Sequence, residues 1–203
     1  MQALNHGRLL PINLMVRARL RCERGFGILE LLMAMTMLNI GILALVAAFN
    51  SGAFALRRSG MASTASALAD QQIELYRLNA YTAILLDTTA EATARTNTTY
   101  NCDTALIGCA GGVSQVTATC TSVSGSLSGE TGSPPPRCNP MQTVIGPDHR
   151  RYRIDTYIVA QYPTGSSSTS RQNKLVTVVV RDGNNLSTVL AREPSTFDSA
   201  TGT

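Results

Sequence analysis

Tryptophan is missing from this 203-residue chain, and aromatic side chains make up only 5% of it. A large core built on aromatic area is therefore excluded. Histidine is almost as scarce, with His6 and His149 the only two. There is no GxSxG and no CxxC. One histidine outside the N-terminal segment supports neither a nucleophile–base pair nor a zinc site. The sequence predicts no enzyme, no cofactor and no metal. A broad basic face is lacking too, although the formal net charge is +4. Before Gly25 stand Arg8, Arg17, Arg19, Arg21 and Arg24 against Glu23, which is 5 − 1 = +4. The other 12 basic and 12 acidic residues cancel. Phosphate recognition by the bulk of the chain is thereby disfavoured.

What is present is one long apolar run. Residues 26–49 read FGILELLMAMTMLNIGILALVAAF, with Glu30 the single charge and Asn39 the one other strongly polar side chain. About 20 residues of helix span a bilayer core. A secretory apolar region is shorter, about 7–15 residues, and is followed by a small-residue cleavage site. Ala47-Ala48-Phe49 and Ser51-Gly52-Ala53 offer only a weak one. The Arg-rich stretch ahead of the run marks a cytoplasmic flank and places the rest of the chain outside. Met15 is a second candidate start, and beginning there leaves the compact basic leader MVRARLRCERG.

Residues 50–86 predict a continuing amphipathic helix. Its stripe is Ala62, Ala65, Leu68, Ala69, Ile73, Tyr76 and Ala80, with Gly52 and Gly60 as weak spots. Residues 87–140 read as loop-rich, with one candidate strand at 116–123 and a turn-forming stretch GSLSGETGSPPP. The clearest alternation lies in 151–162, 174–181 and 186–191, the last two joined by Asp182-Gly183-Asn184-Asn185. These predict a three- or four-stranded antiparallel meander whose apolar face covers the helical stripe. The tail 194–203 is expected to fray.

Cys22 lies in the leader, whereas Cys102, Cys109, Cys120 and Cys138 fall together in the region expected outside the membrane. An even number there suits two disulfides. Of three pairings, Cys102–Cys109 and Cys120–Cys138 close short sequential loops and are favoured. Asn97-Thr98-Thr99 and Asn185-Leu186-Ser187 match a glycosylation pattern and read as chance. His149-Arg150-Arg151 reads first as a solvated loop, with contact to an anionic surface or to nucleic acid as the rival reading.

The junction Arg24-Gly25-Phe26-Gly27-Ile28-Leu29-Glu30 carries the functional signal. A basic leader ending in Gly, then Phe, then a carboxylate five residues into an apolar helix resembles the type IV pilins and pseudopilins. The stretch ALADQQIELYRL and the ending VTVVVRDGNNLSTVLARE look like the PilV-type minor pilins. The resemblance implies an α+β fold: a long N-terminal helix, half of it transmembrane, packed on a small antiparallel β-sheet head. It implies domains at 1–25 (cleaved leader), 26–49 (membrane and filament-core helix), 50–86 (amphipathic helix), 87–193 (stapled head) and 194–203 (tail). It implies cleavage between Gly25 and Phe26 by a prepilin peptidase, N-methylation of Phe26, and pairing of Glu30 with the Phe26 amine of a neighbouring subunit. Membrane lipid is then the partner before assembly and other pilin or pseudopilin subunits the partners after it. The expected location is the cytoplasmic membrane, single-pass, followed by a periplasmic or extracellular filament. The rivals are a pseudopilin of a secretion or DNA-uptake machine and an anchored binding domain that never polymerises.

Overall fold

The computed structural model describes residues 27–109, 113–120, 132–162 and 172–199. The chain divides into two compact units, Met1–Phe54 and Ala55–Thr203. The boundary falls inside one helix, α1, Ile28–Arg77, of 50 residues. At 1.5 Å per residue that is about 75 Å of helix. Ala, Leu and Met, all strong helix formers, dominate its first half.

The interior glycines Gly41, Gly52 and Gly60 do not break α1, and an added Cβ at any of them meets nothing within 4 Å. Gly60→Ala is accordingly expected to stabilise the second unit by about 0.5–1 kcal/mol, since alanine removes backbone freedom from the unfolded chain. A thermal melt of the variant in detergent checks this. A lower midpoint would show that the helix needs glycine there.

In the second unit, Ala65, Ala69, Ile73 and Tyr76 recur at spacings of four and three and are buried. They pack with Tyr152, Ile154, Ile158, Val176, Val178 and Val180 of the sheet. Alanine at 65 and 69 lets the helix axis approach the sheet closely. Beyond Tyr76 the stripe fails. The helix ends at Arg77, short of the expected 86, and Ala80 is extended and exposed. Asn79 ends it: its side-chain amide donates to the Leu75 carbonyl at 2.5 Å and its backbone N–H to Tyr76 O at 3.2 Å.

The sheet is a four-stranded antiparallel meander, β3 (Met141–Ile145), β4 (Arg151–Gln161), β5 (Asn173–Asp182) and β6 (Val189–Asp198), in that spatial order. It makes the protein α+β, with a long apolar N-terminal helix and an antiparallel sheet. A β-bulge falls between Val180 and Arg181. β6 starts at Val189 rather than 186, because the Asp182 carboxylate takes the Asn184 N–H at 2.9 Å and residues 183–188 become a turn. The strand then runs through Pro194 to Asp198, into the stretch expected to fray. β6 is an edge strand, where a residue without an N–H loses no ladder bond.

The described residues between 87 and 140 form more regular structure than their composition suggests. β1 (Leu86–Asp87) pairs in parallel with β2 (Thr117–Ala118), all that forms of the expected strand at 116–123 among the described residues. Between them lie α2 (Thr88–Arg95) and α3 (Thr98–Asn101). Both are threonine-rich and owe their starts to caps. Asp87 accepts from the Thr89 and Ala90 N–H groups at 3.0 Å, and Asn97 accepts from the Tyr100 N–H at 3.2 Å. Tyr100 and Leu106 from this segment cover the second face of the sheet against Tyr157 and Val179. The Tyr100 and Tyr157 rings stack with centroids 4.5 Å apart. That cover explains why β4 is buried on both faces from Tyr152 to Ile158.

Candidate functional site

Every large apolar side chain from Ile28 to Phe54 is exposed, from Ile28 at 81% through Leu43 at 69% to Phe54 at 69%. The exposure runs around the whole helix, so no polar face is left for water. Leaving a leucine-sized side chain in water rather than burying it costs about 1.5–3 kcal/mol. A stretch of this kind is suited to lipid or to other helices around it. Its mean hydropathy reaches 2.2 over 18 residues, and α1 is long and apolar enough to span a membrane.

Within this surface stand few polar groups. Thr36 satisfies its hydroxyl on the Met33 carbonyl at 2.8 Å. Asn39 is exposed on the apolar surface, where a side-chain amide can bond a neighbouring helix. Glu30 lies in the first turn. There the positive end of the helix dipole favours a carboxylate. An acidic side chain in the bilayer still costs about 2.5–3.5 kcal/mol near its centre and less near its edge. Gly25 and Phe26, the expected cleavage and methylation positions, lie outside the described residues.

The four cysteines of the second unit form Cys102–Cys109 and Cys120–Cys138, with sequence separations of 7 and 18. The first closes the loop carrying Asp103 and Leu106. The second ties the segment after β2 to the 3₁₀ turn Pro136–Cys138, which Tyr76 and Gln72 of α1 also hold through the Arg137 and Pro136 carbonyls.

An ion-pair network, which the sequence reading did not anticipate, lies under the second face of the sheet. Asp155 is fully buried and accepts from Arg153 Nε at 2.8 Å, Arg153 Nη2 at 2.9 Å and Arg181 Nε at 2.9 Å. Arg181 reaches on to Asp103, which also accepts from Arg192 Nη2 at 2.8 Å. Arg153, Asp155 and Arg181 alternate with the apolar residues that face α1, so the strand pattern alone puts them on the outward face. A second buried cation, Lys174, donates to the Tyr81 and Ile84 carbonyls, both at 2.7 Å, and lies 4.4 Å over the Tyr81 ring. These contacts tie β5 to the chain leaving α1.

Among the described residues there is no cluster of three or more His, Cys, Asp or Glu placed to hold a metal ion. A cavity of about 190 Å³ opens beside the Cys120–Cys138 bridge, between Ala83, Leu85, Thr119 and Arg137. Apart from Arg137 its walls carry no titratable group. His149 is exposed at the β3–β4 turn with φ 59. No family model matches the chain, and no curated protein or solved structure matches it either.

Proposed function

We propose that this chain is a pilin-like structural subunit, cut between Gly25 and Phe26, N-methylated at Phe26 and assembled through α1 into a type IV pilus or related filament, as a minor component. The observation that carries the reading is α1 itself. It is an apolar surface exposed on all sides, with one carboxylate in its first turn, on a helix whose later turns pack on an antiparallel sheet. Lipid would cover the surface before assembly and the helices of other subunits afterwards. Glu30 would take the Phe26 amine of a neighbour. That amine exists only after cleavage, so processing is coupled to assembly.

Glu30→Ala is expected to leave cleavage intact while lowering the chain's share in sheared filaments at least about ten-fold. Removing one partner of a desolvated pair leaves the other charge uncompensated, at a cost of about 3–5 kcal/mol. Immunoblots of the filament and membrane fractions from the chain's own host measure both effects. Equal incorporation of the variant would remove the pairing argument and favour an anchored domain that never polymerises. A pseudopilin shares all these features and differs in the machine that surrounds it.

A further inference from the structure

The fold gathers arginines that are far apart in sequence at one end of the second unit. Arg57 and Arg58 are exposed on α1 directly after Leu56. His149 and Arg150, in the turn 146–150 between β3 and β4, and Arg151, opening β4, are exposed too. The turn packs on α1: Arg150 Nη1 lies 3.2 Å from Met61 Sδ. Gly146 makes the approach feasible, since a Cβ there would come within 3.1 Å of Thr64 Cγ2 and 2.7 Å of the Tyr152 ring. Two exposed apolar side chains share this end, Ile145 at 74% and Val189 at 42%.

Charge and height both matter. Two carboxylates sit here. Asp148 accepts from the Tyr152 hydroxyl at 2.6 Å and stands 3.8 Å from Arg150. Asp182 accepts its own turn's N–H. Four arginines against two carboxylates leave 4 − 2 = +2. Met61 follows Leu56, the last large apolar residue before the two arginines, by five residues, about 7.5 Å of helix. The headgroup layer on each side of a bilayer is about 5–8 Å thick. Arg57 and Arg58 therefore fall at headgroup height when α1 leaves the hydrocarbon core at Leu56. In the orientation the leader favours, this is the outer flank, where Lys and Arg are ordinarily depleted.

We propose that these arginines form a contact for anionic phospholipid at this end of the second unit. The inference rests on the reading of α1 as a membrane span. Guanidinium groups pair with phosphate in a bidentate manner, and Ile145 and Val189 would sit at the acyl boundary.

The test uses the full chain in nanodiscs of phosphatidylcholine alone or with phosphatidylglycerol, read by amide hydrogen exchange. Exchange across 146–151 is expected to slow about five-fold or more with phosphatidylglycerol, the factor one arginine contributes near an anionic surface. The slowing should vanish at high salt and in Arg57→Gln/Arg58→Gln/Arg150→Gln/Arg151→Gln, with β4–β5 protection unchanged as the fold control. Should that variant not fold, Arg57→Gln/Arg58→Gln on the exposed helix face should halve the effect or more. Equal exchange in both lipids, with residues 28–54 protected in both, would overturn the lipid contact and leave the anchor standing. Unprotected 28–54 would overturn the anchor and the contact together. Protection in detergent that grows with protein concentration would assign the surface to a second copy and overturn the proposal.

Discussion

Asp155→Ala should lower the stability of the head by about 3–5 kcal/mol, the usual cost of leaving a buried ion pair with one partner. The whole stability of a domain is only about 5–15 kcal/mol, so the variant is expected to sit near the edge of folding. Asp155 holds two guanidinium groups at 2.8–2.9 Å. Without it Arg181 keeps Asp103, whereas among the described residues Arg153 keeps Asn97 Oδ1, at 3.4 Å. The arginines are 5% exposed, so water cannot replace the carboxylate. A fall in melting temperature of roughly 10 °C follows from about 2–4 °C per kcal/mol for a chain of this size. Replacing the pair together, as Asp155→Leu with Arg153→Met, should recover much of the loss, because the desolvation cost of that pair leaves with it while Arg181 keeps Asp103. Calorimetry of both variants in detergent decides the matter. An unchanged midpoint for Asp155→Ala would mean the network contributes nothing to the fold.

Alkali should unfold the head in a single step above pH 10. Burial raises the hydroxyl pKa of Tyr100 and of Tyr157 far above the ordinary 10.0. Tyr152 is pushed up to about 12, by desolvation first and then by its hydrogen bond to Asp148. In each case the unfolded chain ionises near 10 while the folded chain keeps its proton. The stability contributed is complete below pH 10 and falls as pH rises through the folded values. Lys174 acts in the opposite sense. Burial lowers it from 10.5 to about 8, so between those values the unfolded chain holds the extra proton and stability rises with pH. The combined expectation is a gain from pH 8 towards 10 and a steep loss beyond. Tyrosinate absorbance and far-UV circular dichroism, followed together, should change in the same step. Full tyrosine ionisation with the fold intact would contradict the burial of these rings.

The parts of this fold most legible in the sequence were those in which one physical pattern acts alone. The apolar run 26–49 and the stripe Ala65, Ala69, Ile73 and Tyr76 follow from hydrophobicity and helical spacing. The valine-rich β5 follows from alternation and β-branching. The chain between Asp87 and Leu106 was opaque because its helices are short and threonine-rich. Asp87 and Asn97 start them through caps whose strength depends on side-chain geometry. Asn97, which matched a glycosylation pattern, works as such a cap. The end of α1 at Arg77 was hidden for a similar reason, since the stripe continues to Ala80 on paper while Asn79 closes the last turn.

Charge was the least legible feature. Arg153, Asp155 and Arg181 read as strand residues of the outward face, and only the cover supplied by Tyr100 and Leu106 makes them buried. The basic end of the head was equally scattered, over 57–58 and 149–151, until the turn met Met61. Glu30, by contrast, stands out as the one charge of the apolar run, and it lies in the first turn of α1.

The central claim is that the functional chain begins at Phe26, so that a free amine stands within reach of Glu30. The measurement that tests it most directly is the N-terminal mass of the protein isolated from membranes of its own host. The account predicts a start at Phe26 carrying one added methyl group. A start at Met1 or Met15 would contradict it, leaving α1 as an uncut anchor and Glu30 without its amine.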